Sequence, residues 1–192
     1  RLVVSTLHAQ LVADGAAATI NGTVTNLTGT LTVGTNGSFT TLIITNAGVV
    51  TNSSFSTIGL NSSAKTNRVI VTGTNSVWKS AGEQYIGRGG SFNELAVTNG
   101  GKVFSDLGGY VGDLTNSAFN KVTVTGGGSL WWISEFFVGN NGPSNRLVIA
   151  KGGRVEAESS ALGYNGGSAS NTKTFGNSVD RKSTRLNSSH RT

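Results

Sequence analysis

Eight carboxylates precede residue 180, and two of them, Glu83 and Glu135, stand four residues before the glycine of an apolar-Gly pair that recurs along the chain. Two carboxyl groups facing each other across a sugar can act as general acid and base, an inverting pair being about 6.5–9.5 Å apart. If successive repeats stack as coils, Gly108 falls between Glu83 and Glu135, and two strand spacings separate them by ~9.6 Å, near the upper limit of that range. The surrounding sequence reads as solvated loop without a neighbouring base or aromatic subsite, so the pair is a weak catalytic candidate. Asp14, Asp106 and Asp113 stand alone. Glu94 aligns between Arg68 and Lys121, with Arg146 one repeat further on, which predicts a surface ladder of charge worth at most ~1 kcal/mol per pair. Glu156 and Glu158 lie two apart on one strand face and read as solubilising charges.

Other chemistries are poorly supplied. His8 is the one histidine before residue 180 and cysteine is absent, so neither a His- or thiolate-ligated metal site nor a Ser/His/Asp constellation assembles from these residues. GRGGSF at 87–92 and GGGS at 126–129 lack the Lys-Ser/Thr ending of a phosphate loop and read as turns. No catalytic residue, cofactor or metal is expected. The feature with binding character is a column of aromatics, Trp78, Phe104 and Trp131, which strand alternation places facing outward. Such a stack could dock sugar rings or a partner protein, or else merely cover the strands beneath it.

The elements that must position these groups are short strands. Charged residues make up 12% of the chain, about half the usual share, while glycine numbers 28 and proline one. Gly, Asn, Ser and Thr fill the places that helix formers would hold, which predicts an all-β chain with many tight turns. Self-similarity supplies the period. Val33-Gly34, Ile58-Gly59, Ile86-Gly87, Val111-Gly112, Val138-Gly139 and Leu162-Gly163 space their glycines by 25, 28, 25, 27 and 24 residues. Asn67, Asn93, Asn120, Asn145 and Asn171 recur at 26, 27, 25 and 26. A unit of ~25 residues cannot bury an apolar face alone, so the units must stack. The expected architecture is a right-handed parallel β-helix solenoid of about six coils, each of roughly three short strands.

Stacking converts repeat positions into columns. Leu42, Val69, Leu95, Val122 and Leu147 form one; Ile44, Val71, Val97, Val124 and Ile149 a second; Val50, Val77, Val103, Leu130 and Val155 a third. All are aliphatic and are expected to fill the interior. The asparagines are expected at a turn, their amides hydrogen-bonded from coil to coil.

Units such as VTGGGSLW, followed by an apolar-Gly pair, resemble the repeat of autotransporter passenger regions and of exported bacterial proteins of the PEP-CTERM sorting class. The resemblance covers about residues 33–171, with residues 1–32 as one or more degenerate first coils and 33–179 as the repeats. It implies a structural or adhesin-like segment of an exported surface protein, extracellular or associated with the outer membrane, with neighbouring coils, surface glycans or other proteins as partners. Glycan binding is the alternative, and a fragment of a polysaccharide lyase or glycosidase a more distant one. No apolar run approaches the ~20 residues needed to span a bilayer, so membrane insertion by this segment is not expected. The net charge of +6 is not a nucleic-acid footprint, because Arg181, Lys182, Arg185 and Arg191 against Asp180 contribute half of it. From Asp180 to His190 the sequence DRKSTRLNSSH resembles the translation of a common sequencing-library adapter. Residues 180–192 are therefore expected to be a foreign, disordered tail.

Overall fold

Alternation of small, β-branched and aliphatic residues, broken every few positions by Gly or Asn, gives strands of three to five residues in the first coils of the computed structural model, which describes residues 11–163 and 178–182. The first coil contains β1 (Ala17–Asn21), β2 (Val24–Leu27) and β3 (Leu31–Val33). The second contains β4 (Thr41–Thr45), β5 (Val49–Asn52) and β6 (Ser56–Ile58). The third contains β7 (Arg68–Thr72), β8 (Val77–Ser80) and β9 (Gln84–Ile86). In the next three coils the second and third strands fuse, giving β10 (Glu94–Thr98) with β11 (Lys102–Val111), β12 (Lys121–Thr125) with β13 (Leu130–Val138), and β14 (Arg146–Ala150) with β15 (Arg154–Leu162). β16 (Ser178–Lys182) follows.

All pairings are parallel. One face is the seven-stranded sheet β1-β4-β7-β10-β12-β14-β16; the other two are built by the second and third strands of each coil. The protein is thus an all-β parallel solenoid of about six turns, with no helix among the described residues. β16 pairs residue for residue with β14, Val148 opposite Asp180 and Ala150 opposite Lys182. Asp180, Arg181 and Lys182, expected to be disordered tail, therefore continue a strand. His8, Asn171 and residues 183–192 lie outside the described residues.

Two of the three aliphatic columns lie in the interior as the repeat predicts. Leu42 pairs with Val69, Val69 with Leu95, Leu95 with Val122 and Val122 with Leu147, and the Ile44 column runs in the same register. Every member of both is at most 6% exposed. Burying a side chain of this size stabilises by roughly 1.5–3 kcal/mol before its ordering entropy is counted. A further column, Val33, Ile58, Ile86, Val111 and Val138, closes the third face.

The third expected column is corrected. Opposite Val103 stand Trp78 on one side and Trp131 on the other, and Val50 pairs with Trp78. The interior column is therefore Val50, Trp78, Val103, Trp131 and Val155, while Val77 and Leu130 pair with Lys102 on the outer surface. Corner length is the reason. Six residues carry the chain from Ile44 to Val50 and from Val97 to Val103, but seven from Val71 to Trp78 and from Val124 to Trp131. One extra residue in a corner shifts the count by one and exchanges inside for outside.

At the corner entering the seven-stranded sheet lies the asparagine ladder. Asn67, Asn93, Asn120 and Asn145 are all buried. The backbone N–H and the Nδ2 of Asn67 both donate to Oδ1 of Asn93, at 2.9 and 3.0 Å. Asn93 repeats this toward Asn120, and Asn120 toward Asn145. Each amide is seated beneath a marker glycine. A Cβ on Gly87, at φ +74°, would overlap the Asn120 amide, and Gly34, Gly59 and Gly112 stand in the same relation to Asn67, Asn93 and Asn145. The two sequence markers are thus two halves of one packing unit.

Candidate functional site

Of the aromatic column expected outside, only Phe104 faces outward; Trp78 and Trp131 are 1% and 0% exposed. Both indoles are satisfied internally. Trp78 Nε1 donates to Oδ1 of Asn52 at 3.3 Å and Trp131 Nε1 to Oε1 of Gln84 at 3.0 Å. Gln84 in turn donates to the Phe104 carbonyl, and Ser80 Oγ accepts from both Asn52 Nδ2 and Ser56 Oγ. A buried indole N–H needs such an acceptor. Its signal in the sequence is parity: Asn52 and Ser80 come two residues after inward positions. The outer column is Thr51, Lys79, Phe104, Trp132 and Glu156. Of the three tryptophans only Trp132 is then open to quencher. In a Trp132→Phe variant the remaining emission is expected to be blue-shifted and poorly quenched by acrylamide; free quenching would refute the interior placement of Trp78 and Trp131.

Glu83 and Glu135 do share a column with Gly108, since Glu135 pairs with Gly108 and Gln84 with Gly109. The expectation that no aromatic neighbours them is corrected. Two residues on, on the same strand face, Tyr85, Tyr110 and Phe137 form a continuous stack with ring centroids 5.0 and 5.1 Å apart. Phe55 meets Tyr85 edge-on, and the Arg88 guanidinium sits 5.1 Å from the Tyr85 ring centre and 5.4 Å from that of Phe55. The Tyr110 ring leans over Gly108, where a Cβ would collide with it. It thereby covers the position that lies between Glu83 and Glu135 in their column. The rings lie nearly parallel, at interplanar angles of 14° and 5°.

Burial, and then the charges of Glu83 and Asp113, push the Tyr85 hydroxyl up to about 12, against a partial offset from Arg88. Burial followed by Glu135, Glu83 and Asp113 raises Tyr110 as well. A phenol whose folded pKa lies above its unfolded value near 10 holds its proton longer when folded, so stability is complete below pH 10 and falls as pH rises toward 12. Tyrosinate absorbance is accordingly expected to grow late, with a delayed component that a Tyr85→Phe variant diminishes and loss of both Tyr85 and Tyr110 removes. A single transition near pH 10 in the folded protein would contradict the half-buried stack.

A concave feature lies at the corner between the third face and the seven-stranded sheet. Between each marker glycine and the residue that follows at the ladder position, the loops hold five, seven, five, seven and five residues (35–39, 60–66, 88–92, 113–119 and 140–144). A short loop flanked by two long ones leaves a cleft of about 370 Å³. Gly89 forms its floor; Leu60, Asn61 and Ser62 form one wall and Leu114, Thr115 and Asn116 the other, with Asn141 at the end. Beside it, Asp113 accepts from Asn140 Nδ2 at 2.8 Å, and burial raises its carboxyl above the ordinary aspartate value.

The charge ladder forms as the repeat predicts, and Glu156 and Glu158, expected only as solubilising charges, have partners as well. Glu94 bridges Arg68 at 3.1 Å and Lys121 at 3.4 Å, with Arg146 next in the column. Arg154 pairs with Glu156, and Ser134 donates to Glu158. Among the described residues no three His, Cys, Asp or Glu side chains gather to hold a metal ion, and no helix is long and apolar enough to cross a membrane. No family model matches the chain, and neither does any curated protein or solved structure.

Proposed function

We propose that the chain is a structural segment of an exported bacterial surface protein, of the autotransporter-passenger or PEP-CTERM-associated kind, that holds other regions away from the cell envelope. The observation that supports this reading is continuity: aliphatic columns and the asparagine ladder pass through successive coils without interruption. A structure in which each coil contacts only its neighbours is extended simply by adding coils, which is what a spacer requires. The outer faces carry paired charges and a stack of rings, and Tyr110 leans over Gly108, between Glu83 and Glu135 in their column. Surface location is tested on the native protein. An antibody raised against this chain should label intact source cells, and brief protease treatment of those cells should remove the epitope. Full protection until the cells are lysed would overturn the proposal.

A further inference from the structure

We propose that the cleft between loops 60–66 and 113–119 binds a neutral carbohydrate chain. The site stands apart from the surface-scaffold reading, because a solenoid of any location would still carry it.

Its shape comes from loop length and is held rigidly. The Leu60 and Asn61 amides donate to Gly34 and Thr35, and the Leu114 amide to Arg88. Asn61 Nδ2 donates to Oδ1 of Asn36 at 2.7 Å, and Asn141 Nδ2 to the carbonyl of Asp113 at 2.8 Å. Ser117 Oγ donates to the carbonyls of Gly87 and Gly90, tying the far wall to the floor. The floor must be glycine, since a Cβ on Gly89 would press on the Leu60 carbonyl at 2.8 Å. A pre-formed concavity of 370 Å³ is within the range of small-molecule sites, about 300–1,000 Å³.

The lining selects the class of ligand. It carries no charged side chain, which disfavours an ionic ligand in a protein of net charge +6. Side-chain amides and hydroxyls supply donors and acceptors side by side, as vicinal sugar hydroxyls require, and Leu60 with the half-exposed Leu114 offers apolar surface to a ring's C–H face. The walls stand two coils apart, ~9.6 Å by strand spacing, which admits one ring between them. Among the described residues the long-short-long arrangement of loops that makes the cleft occurs once, over 60–66, 88–92 and 113–119.

The test uses the full chain, ¹⁵N-labelled, titrated with cellohexaose, with N-acetylchitohexaose and, separately, with polygalacturonate at low and high salt. One of the neutral hexaoses should shift the amides of Leu60–Ser62 and Leu114–Asn116. Thr115→Trp, which fills the cleft from an exposed position, should weaken that binding at least about tenfold while leaving the urea midpoint unchanged. Asn116→Ala gives the same test if the tryptophan perturbs folding. The proposal is overturned if neither hexaose binds at millimolar concentration, if binding survives both variants, or if only polygalacturonate binds and high salt abolishes it.

Discussion

Replacing Asn93 with alanine is expected to destabilise the solenoid by roughly 3–5 kcal/mol, the sum of several buried groups losing partners at about 1–3 kcal/mol each. Its Oδ1 accepts both the backbone N–H and the side-chain amide of Asn67, and its own N–H and Nδ2 donate to Asn120. All three residues are at most 1% exposed, so water cannot replace what is lost. Asn46→Ala is the contrast. Asn46 donates to Asn21 on the exposed surface, and its loss, with alanine left at φ +52°, should cost no more than about 1–2 kcal/mol. Urea unfolding followed by tryptophan emission measures the difference. Because stacked coils can unzip, amide exchange should accompany it and show protection lost first between Asn67 and Asn120. A shift for Asn93→Ala no larger than that for Asn46→Ala would mean that the ladder contributes shape without stability.

Gly87→Ala is expected to be comparably damaging, and its damage should depend on Asn120. The residue sits at φ +74°, where alanine costs about 1–2 kcal/mol for backbone conformation alone. The larger effect comes from the new Cβ, which occupies the place of the Asn120 amide and forces that side chain off the ladder. Gly87→Ala and Asn120→Ala therefore remove the same hydrogen bonds. The double variant should fall short of the sum of the singles by about 1–3 kcal/mol, as for residues in direct contact. Additivity within error would show that Asn120 relaxes around the methyl group and stays bonded.

Much of this architecture is written in the chain, and its legibility follows the rigidity of the spacing. Leu42, Ile44 and their successors sit at a fixed distance after each ladder position, so their columns could be counted directly, as could the charge ladder at Arg68, Glu94, Lys121 and Arg146. Trp78 and Trp131 could not, because they lie beyond a corner whose length varies and counting forward from Val71 or Val124 assigns the wrong face. The marker spacings carry the missing information, since the two long units, 28 and 27 residues, are those with the longer corner and the longer loop. Counting backward from the marker glycine recovers more. Tyr85, Tyr110 and Phe137 each precede theirs by two residues and so share one outward face. The cleft belongs to a different category. It arises from a difference in length between neighbouring loops and has no residue motif of its own.

The asparagine ladder also has a sense of direction. From Thr40 to Asn120 the backbone N–H at each ladder position donates to Oδ1 of the asparagine in the next coil, joined from Asn67 onward by the side-chain amide, while Asn145 Nδ2 also reaches the carbonyls of Ser117, Gly142 and Pro143. The side-chain amide dipoles therefore add along the axis as peptide dipoles add along a helix, and each bond polarises its neighbours. A coil facing the other way would set carbonyl against carbonyl at the ladder position. The solenoid is a one-way polymer, in which any coil grafted onto it must enter in the same orientation as the rest.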